Sequence, residues 1–339
     1  MGYCFFTMRE TVSTKRIRSG NAGVAAFLLT CILCAFPHLR MSDPIPLLAE
    51  RFLPGSGWIQ IIALSVYAAV VAEWLVNARN TTKLRMRLWL LFSIVFFAQA
   101  ILGVLGVERL LMTGKLHLPV PAIILAGPLY RGEGFFMPVL LLSTLLVVGP
   151  AWCSWLCYVG AWDNLAASAR RPAKGARSIT GLRIGFFVLV VAIALALRWM
   201  GVGGVTASVL GGAFGLVGVG VMVRASRRRG IMVHCTTFCP IGLVSNLIGR
   251  INPFRIRIGE GCDECRACTA SCRYAALGVA DIRRCRAGFT CTLCGDCLSS
   301  CNRNQIYYRF PGLAPGRARR VFLVLVAALH AVFLGFARI

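Results

Sequence analysis

Apolar residues run along this chain in seven long blocks, without the alternation of a half-buried strand or the single stripe of a soluble helix. The blocks lie near 22–37, 57–77, 88–107, 136–152, 184–201, 203–223 and 321–337. Each approaches the roughly 20 residues that a helix needs to cross a hydrocarbon core. The polar breaks between them alternate in kind. Lys15, Arg16 and Arg18 precede the first block; Arg79, Lys83, Arg85 and Arg87 follow the second; Arg170, Arg171, Lys174 and Arg177 follow the fourth. Arg224 and Arg227 to Arg229 follow the sixth, and Arg317, Arg319 and Arg320 precede the seventh. The intervening breaks, about 38–56 and 108–135, mix acids with bases, and only Gly-rich 201–204 separates blocks five and six. Basic loops stay on the cytoplasmic side of a membrane. The pattern therefore predicts seven spans, a cytoplasmic N-terminus and a periplasmic C-terminus in an inner membrane.

Composition agrees with that reading. The chain of 339 residues is 58% hydrophobic and 14% charged, with 37 Lys and Arg against 12 Asp and Glu. A net charge of +25 also suits nucleic-acid binding, but bases placed at the ends of apolar spans are what topology asks for. No nucleic-acid partner is expected. Glu73 and Arg198 lie near span ends, where snorkelling accounts for them.

Sixteen cysteines would suit a small secreted disulfide scaffold, yet eight of them fall in two regular runs. Residues 262–272 read Cys262-x2-Cys265-x2-Cys268-x3-Cys272, and residues 291–301 read Cys291-x2-Cys294-x2-Cys297-x3-Cys301. This is bacterial ferredoxin spacing, in which three thiolates wrap one cubane and the fourth ligates the other. The expected ligand sets are Cys262, Cys265, Cys268 and Cys301 for one [4Fe–4S] cluster, and Cys291, Cys294, Cys297 and Cys272 for the second. Two structural zinc sites are the competing reading, since zinc also takes CxxC pairs. The Pro that usually follows the fourth cysteine is Arg273 in one run and Asn302 in the other.

The ends of spans four and six repeat each other. Residues 153–165 read CSWLCYVGAWDNL and residues 235–247 read CTTFCPIGLVSNL, agreeing at both cysteines, at Gly160 with Gly242, at Asn164 with Asn246 and at Leu165 with Leu247. A parallel repeat brings both motifs to one side of the membrane. Cysteines at i and i+4 share a helix face. Cys153, Cys157, Cys235 and Cys239 are thus candidates for two redox-active dithiols or one additional four-thiolate metal site. Buried packing thiols are the plainer alternative. Cys31 and Cys34 read as core, and Cys4 and Cys285 as bystanders.

With these motifs in this order, the chain resembles the NapH/MauN-type ferredoxin-like membrane proteins, and is similar to the C-terminal part of NosR-type regulators and to CcoG-type proteins. The resemblance rests on Cys153/Cys157 and Cys235/Cys239-Pro240, followed by the tandem ferredoxin runs, and covers about residues 88–310. Tyr158 stands where that family usually has Pro, two extra spans precede the shared region and one follows it. The resemblance implies electron transfer between the quinone pool or a cytoplasmic donor and a periplasmic respiratory or dehydrogenase system, through partner subunits.

The expected architecture is an all-α transmembrane bundle carrying a small α+β ferredoxin-like domain. It divides into an extra pair of spans (1–87), a four-span core with the repeat (88–249), a cytoplasmic 2[4Fe–4S] domain (250–318) and a last span (319–339). Four histidines, only His330 inside a span, leave no room for a transmembrane bis-His haem. A quinone site is a candidate at the outer edge of span four, where Tyr130, Arg131 and Glu133 sit among Gly, Pro and aromatics; an interfacial turn is the alternative. The function read from these residues is a membrane iron–sulfur relay of single electrons. An assembly factor for a partner enzyme, or a reductase acting at the C-x3-C site, is the rival.

Overall fold

The computed structural model describes residues 20–40, 47–78, 80–110, 118–172 and 180–336. Seven of its helices are long and apolar enough to cross a membrane, and blocks five and six are separate helices. In chain order the main elements are α1 (Gly20–Arg40), α2 (Gly57–Asn77), α3 (Thr81–Val104), α4 (Ile123–Arg131), α5 (Phe136–Val148), α6 (Tyr158–Ser168), α7 (Thr180–Trp199) and α8 (Gly204–Val221). There follow α9 (Pro240–Ile248), β1 (Arg255–Ile258), β2 (Ile306–Arg309) and α10 (Pro315–Phe336). The described residues are mostly helical, with one small antiparallel sheet.

Two spans begin earlier than their apolar blocks. Asn80 caps α3 by accepting the Lys83 N–H at 3.4 Å, so Lys83, Arg85 and Arg87 are helical. Arg85 is buried and lies 5.2 Å from the Trp89 ring centroid, where the ring face takes a cation in place of water. Pro315 opens α10, a position where its missing N–H costs nothing.

Contacts divide the chain into two compact units. One lies within Val12–Pro119 and Gly316–Ile339, holding α1, α2, α3 and nearly all of α10. Its core gathers Cys34, Leu47 and Ile61, with Cys31 packed against them. Glu73 is not snorkelling: its carboxylate accepts the Gly23 N–H at 2.9 Å, satisfying an orphan donor in the first turn of α1. His330 is fully engaged, with Nδ1 3.2 Å from the Tyr67 hydroxyl and Nε2 3.0 Å from the Leu88 carbonyl.

The other unit, Val120–Pro315, holds the two C-x3-C motifs and both ferredoxin runs. Helices α7 and α8 turn large apolar side chains outward, among them Val188, Leu189, Val205, Val209 and Leu216, as a lipid-facing surface would. In β1 and β2 the register is Arg255 with Arg309, Ile256 with Tyr308, Arg257 with Tyr307 and Ile258 with Ile306. Alternation along the strands buries Ile256, Ile258, Ile306 and Tyr308 against the cysteine-bearing loops.

Candidate functional site: three cysteine quartets

Each ferredoxin run is a loop that turns tightly on left-handed residues. Positive φ occurs at Glu264, Arg266 and Ala275 in the first copy, and at Leu293, Gly295 and Asn304 in the second. These positions correspond one for one between the copies. Only in this conformation do successive backbone N–H groups turn toward a common point, the arrangement that receives anions. The fourth cysteine of each run is treated alike: Cys272 Sγ accepts the Ala276 N–H at 3.3 Å, and Cys301 Sγ accepts the Gln305 N–H at 3.3 Å.

The electrostatic neighbours of the thiols fall into two sets. Burial pushes Cys268 up, and Cys262, Cys301 and Cys265 stand close enough to push it further. Burial likewise raises Cys297 well above an ordinary thiol, with Cys294, Cys291 and Cys272 adding to it. The fourth cysteine of each run thus lies with the other run's first three. Cys272, Cys291, Cys294 and Cys297 line one small cavity, walled by Ile256 and Tyr274. Burial holds Cys272 and Cys291 at about 12. Four such thiols cannot all ionise unless a polycation sits among them.

The C-x3-C motifs form a third quartet. In each copy a π-helical turn, Trp152–Leu156 or His234–Phe238, ends on a cysteine in extended conformation, and a new helix starts at once. Wide i→i+5 bonds close both turns: Cys157 N–H to Trp152 C=O at 2.9 Å, and Cys239 N–H to His234 C=O at 2.7 Å. Such turns are rare and concentrate at functional sites. The second cysteine of each motif therefore lies not on the helix of the first but at the N-terminus of the next. There the N–H groups of Val159 and Gly160 point at Cys157, and those of Ile241 and Gly242 at Cys239. A helix N-terminus favours a thiolate.

All four of these thiols are buried, and none is in a disulfide. Cys153, Cys157 and Cys239 are near neighbours of Cys235, whose thiol burial raises strongly. The quartet lines one small cavity with Trp152 and His234. Arg183, only 2% exposed, enters from α7; its Nη2 donates to the Cys235 carbonyl at 2.8 Å, while Nε and Nη1 have no partner. Cys153, Cys239 and Cys235 are its electrostatic neighbours. Asp163 accepts the Cys235 N–H at 3.0 Å, and burial lifts its carboxyl to about 6. Burial holds His234 at about 4, so it is neutral.

The third quartet is bonded to both ferredoxin runs. The Tyr274 hydroxyl donates to the Cys153 carbonyl at 3.2 Å, and the Ser154 hydroxyl donates to the Thr292 carbonyl at 2.9 Å. Arg273, where ferredoxins usually have Pro, explains its own presence: Nη1 donates to the Ala167 carbonyl at 2.6 Å, and its carbonyl accepts the Met232 N–H at 2.9 Å. The exit residue of the run is thereby the anchor that seats the loop on α6.

Among the described residues no group of three or more His, Cys, Asp or Glu is placed to hold a metal ion. Thiolates around one zinc, with Zn–S of about 2.3 Å, would stand about 3.8 Å apart. A cubane, with four irons between them, would hold its thiolates wider.

The candidate quinone residues are dispersed in role. Tyr130 donates to the Val202 carbonyl, clamping α4 to the α7–α8 turn. Arg131 and Glu133 are exposed. Helix α4 itself was not expected; Pro119 and Pro121 broke the apolar pattern just before it.

A family model described as a 4Fe-4S binding domain matches the chain over residues 130–177 and 209–259. Each match takes in one C-x3-C motif. The methylamine utilization ferredoxin-type protein MauN of Paracoccus denitrificans (strain Pd 1222) is 29% identical over 223 residues, covering 60% of this chain and 73% of the relative. No solved structure matches the chain.

Proposed function

We propose that this chain, which resembles the MauN/NapH-type ferredoxin proteins, relays single electrons through iron–sulfur clusters in a fixed order from its ferredoxin loops to the membrane edge. An iron–sulfur electron-transfer role follows from the likeness already described; the ligand sets and the order are the reading argued here. Cys262, Cys265, Cys268 and Cys301 hold one [4Fe–4S] cluster, and Cys291, Cys294, Cys297 and Cys272 the second. Cys153, Cys157, Cys235 and Cys239 hold a third iron–sulfur group, two ligands coming from each copy of the repeat. The observation that carries the reading is the crossing of the fourth cysteines, which couples the two runs as a ferredoxin does.

The clusters supply one-electron storage at a potential set by their surroundings. The protein supplies everything else. Left-handed loop residues turn N–H groups toward the sulfurs, and the wall of Ile256, Tyr308 and Tyr274, each buried, keeps water away. Tyr274 gives a short covalent and hydrogen-bonded route from Cys272 to the Cys153 carbonyl. No proton need move at the ferredoxin clusters. Burial of the third quartet also weighs against a reductase reading, because a bulky disulfide cannot reach thiols that are each under 10% exposed.

The basic loops support a cytoplasmic position for this machinery at an inner membrane. Electrons pass between a cytoplasmic donor or the quinone pool and a partner subunit of a respiratory or dehydrogenase system. Exposed Glu133 is the group available to take a quinol proton at the outer edge. The ligand sets are tested by spectral matching of variants. Cys301→Ala should give the same altered EPR spectrum as Cys262→Ala, and Cys272→Ala the same as Cys294→Ala. If Cys301→Ala instead matches Cys294→Ala, the ligands do not cross and the assignment is wrong.

A further inference from the structure

The outward face of the small sheet is almost entirely arginine. Arg255 and Arg309 stand directly opposite each other across the strands, and Arg257 follows on the same face beside Tyr307. A separate bridge pairs Arg257 with Arg286. Like charges directly opposite in a sheet destabilise it. Arg255 offsets part of that cost by donating to the carbonyls of Phe254 and Arg250, and Arg250 lies 4.8 Å from the Phe289 ring centroid. The rest is not offset. Arg257 Nε is buried with no partner, and the ion pairs shown among the described residues use Arg283 and Arg303, not this face. Burial, Arg309 and Arg286 all act to depress the Arg257 pKa.

Behind this face lies the second ferredoxin quartet. Ile256, one residue from both Arg255 and Arg257, lines the cavity of Cys272, Cys291, Cys294 and Cys297. Tyr308, the cross-strand partner of Ile256, donates to the Leu293 carbonyl between Cys291 and Cys294 at 2.9 Å. Arg255 is itself an electrostatic neighbour of Cys291. One layer of side chains separates a concentrated positive surface from the cluster site.

We propose that Arg255, Arg257, Arg286 and Arg309 form the docking face for a small acidic one-electron carrier protein, whose carboxylates replace the missing counter-charges. The carrier loses one electron, the cluster held by Cys272, Cys291, Cys294 and Cys297 gains it, and no bond or proton changes hands. This rests on the assignment of that quartet to a cluster, and adds the partner and the port. Charge complementarity at such a face sets encounter rate and orientation more than it sets affinity.

The test is stopped-flow reduction of the full-length holoprotein in phosphatidylcholine nanodiscs by a reduced acidic ferredoxin, across ionic strength. The wild-type second-order rate should fall about tenfold or more between low and high salt. In R257Q/R286Q/R309Q the low-salt rate should drop by about tenfold and the salt dependence flatten, with iron content and reduction by dithionite unchanged. A basic carrier of similar size, tried on the wild type, should be slower than the acidic one; this arm stands even if the triple variant fails to load iron. A salt-independent rate, an unaffected variant or a faster basic carrier overturns the proposal. If adding phosphatidylglycerol to the nanodisc abolishes the dependence on these arginines, the face belongs to lipid headgroups, and the proposal is likewise overturned. Wild-type protein without any iron–sulfur signal would instead sink the cluster assignment on which it rests.

Discussion

Arg183 is a buried cation with two unpartnered N–H positions, set among thiols that only ionise if something compensates them. A guanidinium in that place favours the more negative, reduced state of any cluster the thiols hold. At an effective dielectric near 20 and a separation of several ångströms, its removal should lower the midpoint potential by on the order of 100 mV. Redox titration of Arg183→Gln followed by EPR would show this, and Arg183→Lys should recover much of it. Gly242 makes room for the same side chain: a Cβ there would stand 2.1 Å from Arg183 Nη2 and 2.7 Å from the Cys235 carbonyl. Gly242→Ala should therefore strip iron from the third quartet while the ferredoxin EPR signals persist. At this scale the sequence was legible where chemistry depends on spacing. The expected crossing of the fourth cysteines came from the 2-2-3 runs, and the thiols have their neighbours grouped in that way. Arg183 was not legible, because a base near the start of a span reads as a topology signal.

Helices and turns explain how those residues meet. The C-x3-C cysteines were read as one helical face, whereas each motif bridges a π-helical turn and a new helix. No composition rule signals a π turn, although Pro240 at the first position of α9 marks the restart. Span three was grouped with span four in the sequence, and in the structure it falls in the compact unit that holds α1, α2 and nearly all of α10, while short α4 falls in the repeat-bearing unit. Hydropathy sees length and polarity, not which neighbour a span chooses. Asn252 joins the membrane helices to the sheet. Its Nδ2 donates to the Leu146 carbonyl at 2.8 Å and its Oδ1 accepts the Phe254 N–H at 2.9 Å, next to Gly149 in a left-handed turn (φ 63°) that could not carry a Cβ against it. Asn252→Ala should cost about 1–3 kcal/mol, seen as an earlier loss of cluster absorbance on heating. An unchanged melting profile would mean that β1 is held by other contacts.

For the molecule as a whole, the alternation of basic and mixed loops gives an expected orientation through charge alone. Reporter insertions should give cytoplasmic signals after Arg229 and periplasmic signals after Gly201. The opposite result would move all three quartets to the outer side and exclude a cytoplasmic donor. Seven spans were readable because each is a continuous apolar block, and the bonds that tie the ferredoxin runs to the third quartet were not, since they depend on Tyr274, Ser154 and Arg273 meeting residues more than 100 positions away. The central claim is a chain of three iron–sulfur groups. Iron and acid-labile sulfide per chain, measured on anaerobically purified protein alongside Mössbauer spectra, test it most directly. Roughly twelve irons, falling to roughly eight in Cys235→Ser, is the result predicted for three cubanes. Zinc in place of iron, or an iron content that Cys235→Ser leaves unchanged, would contradict it.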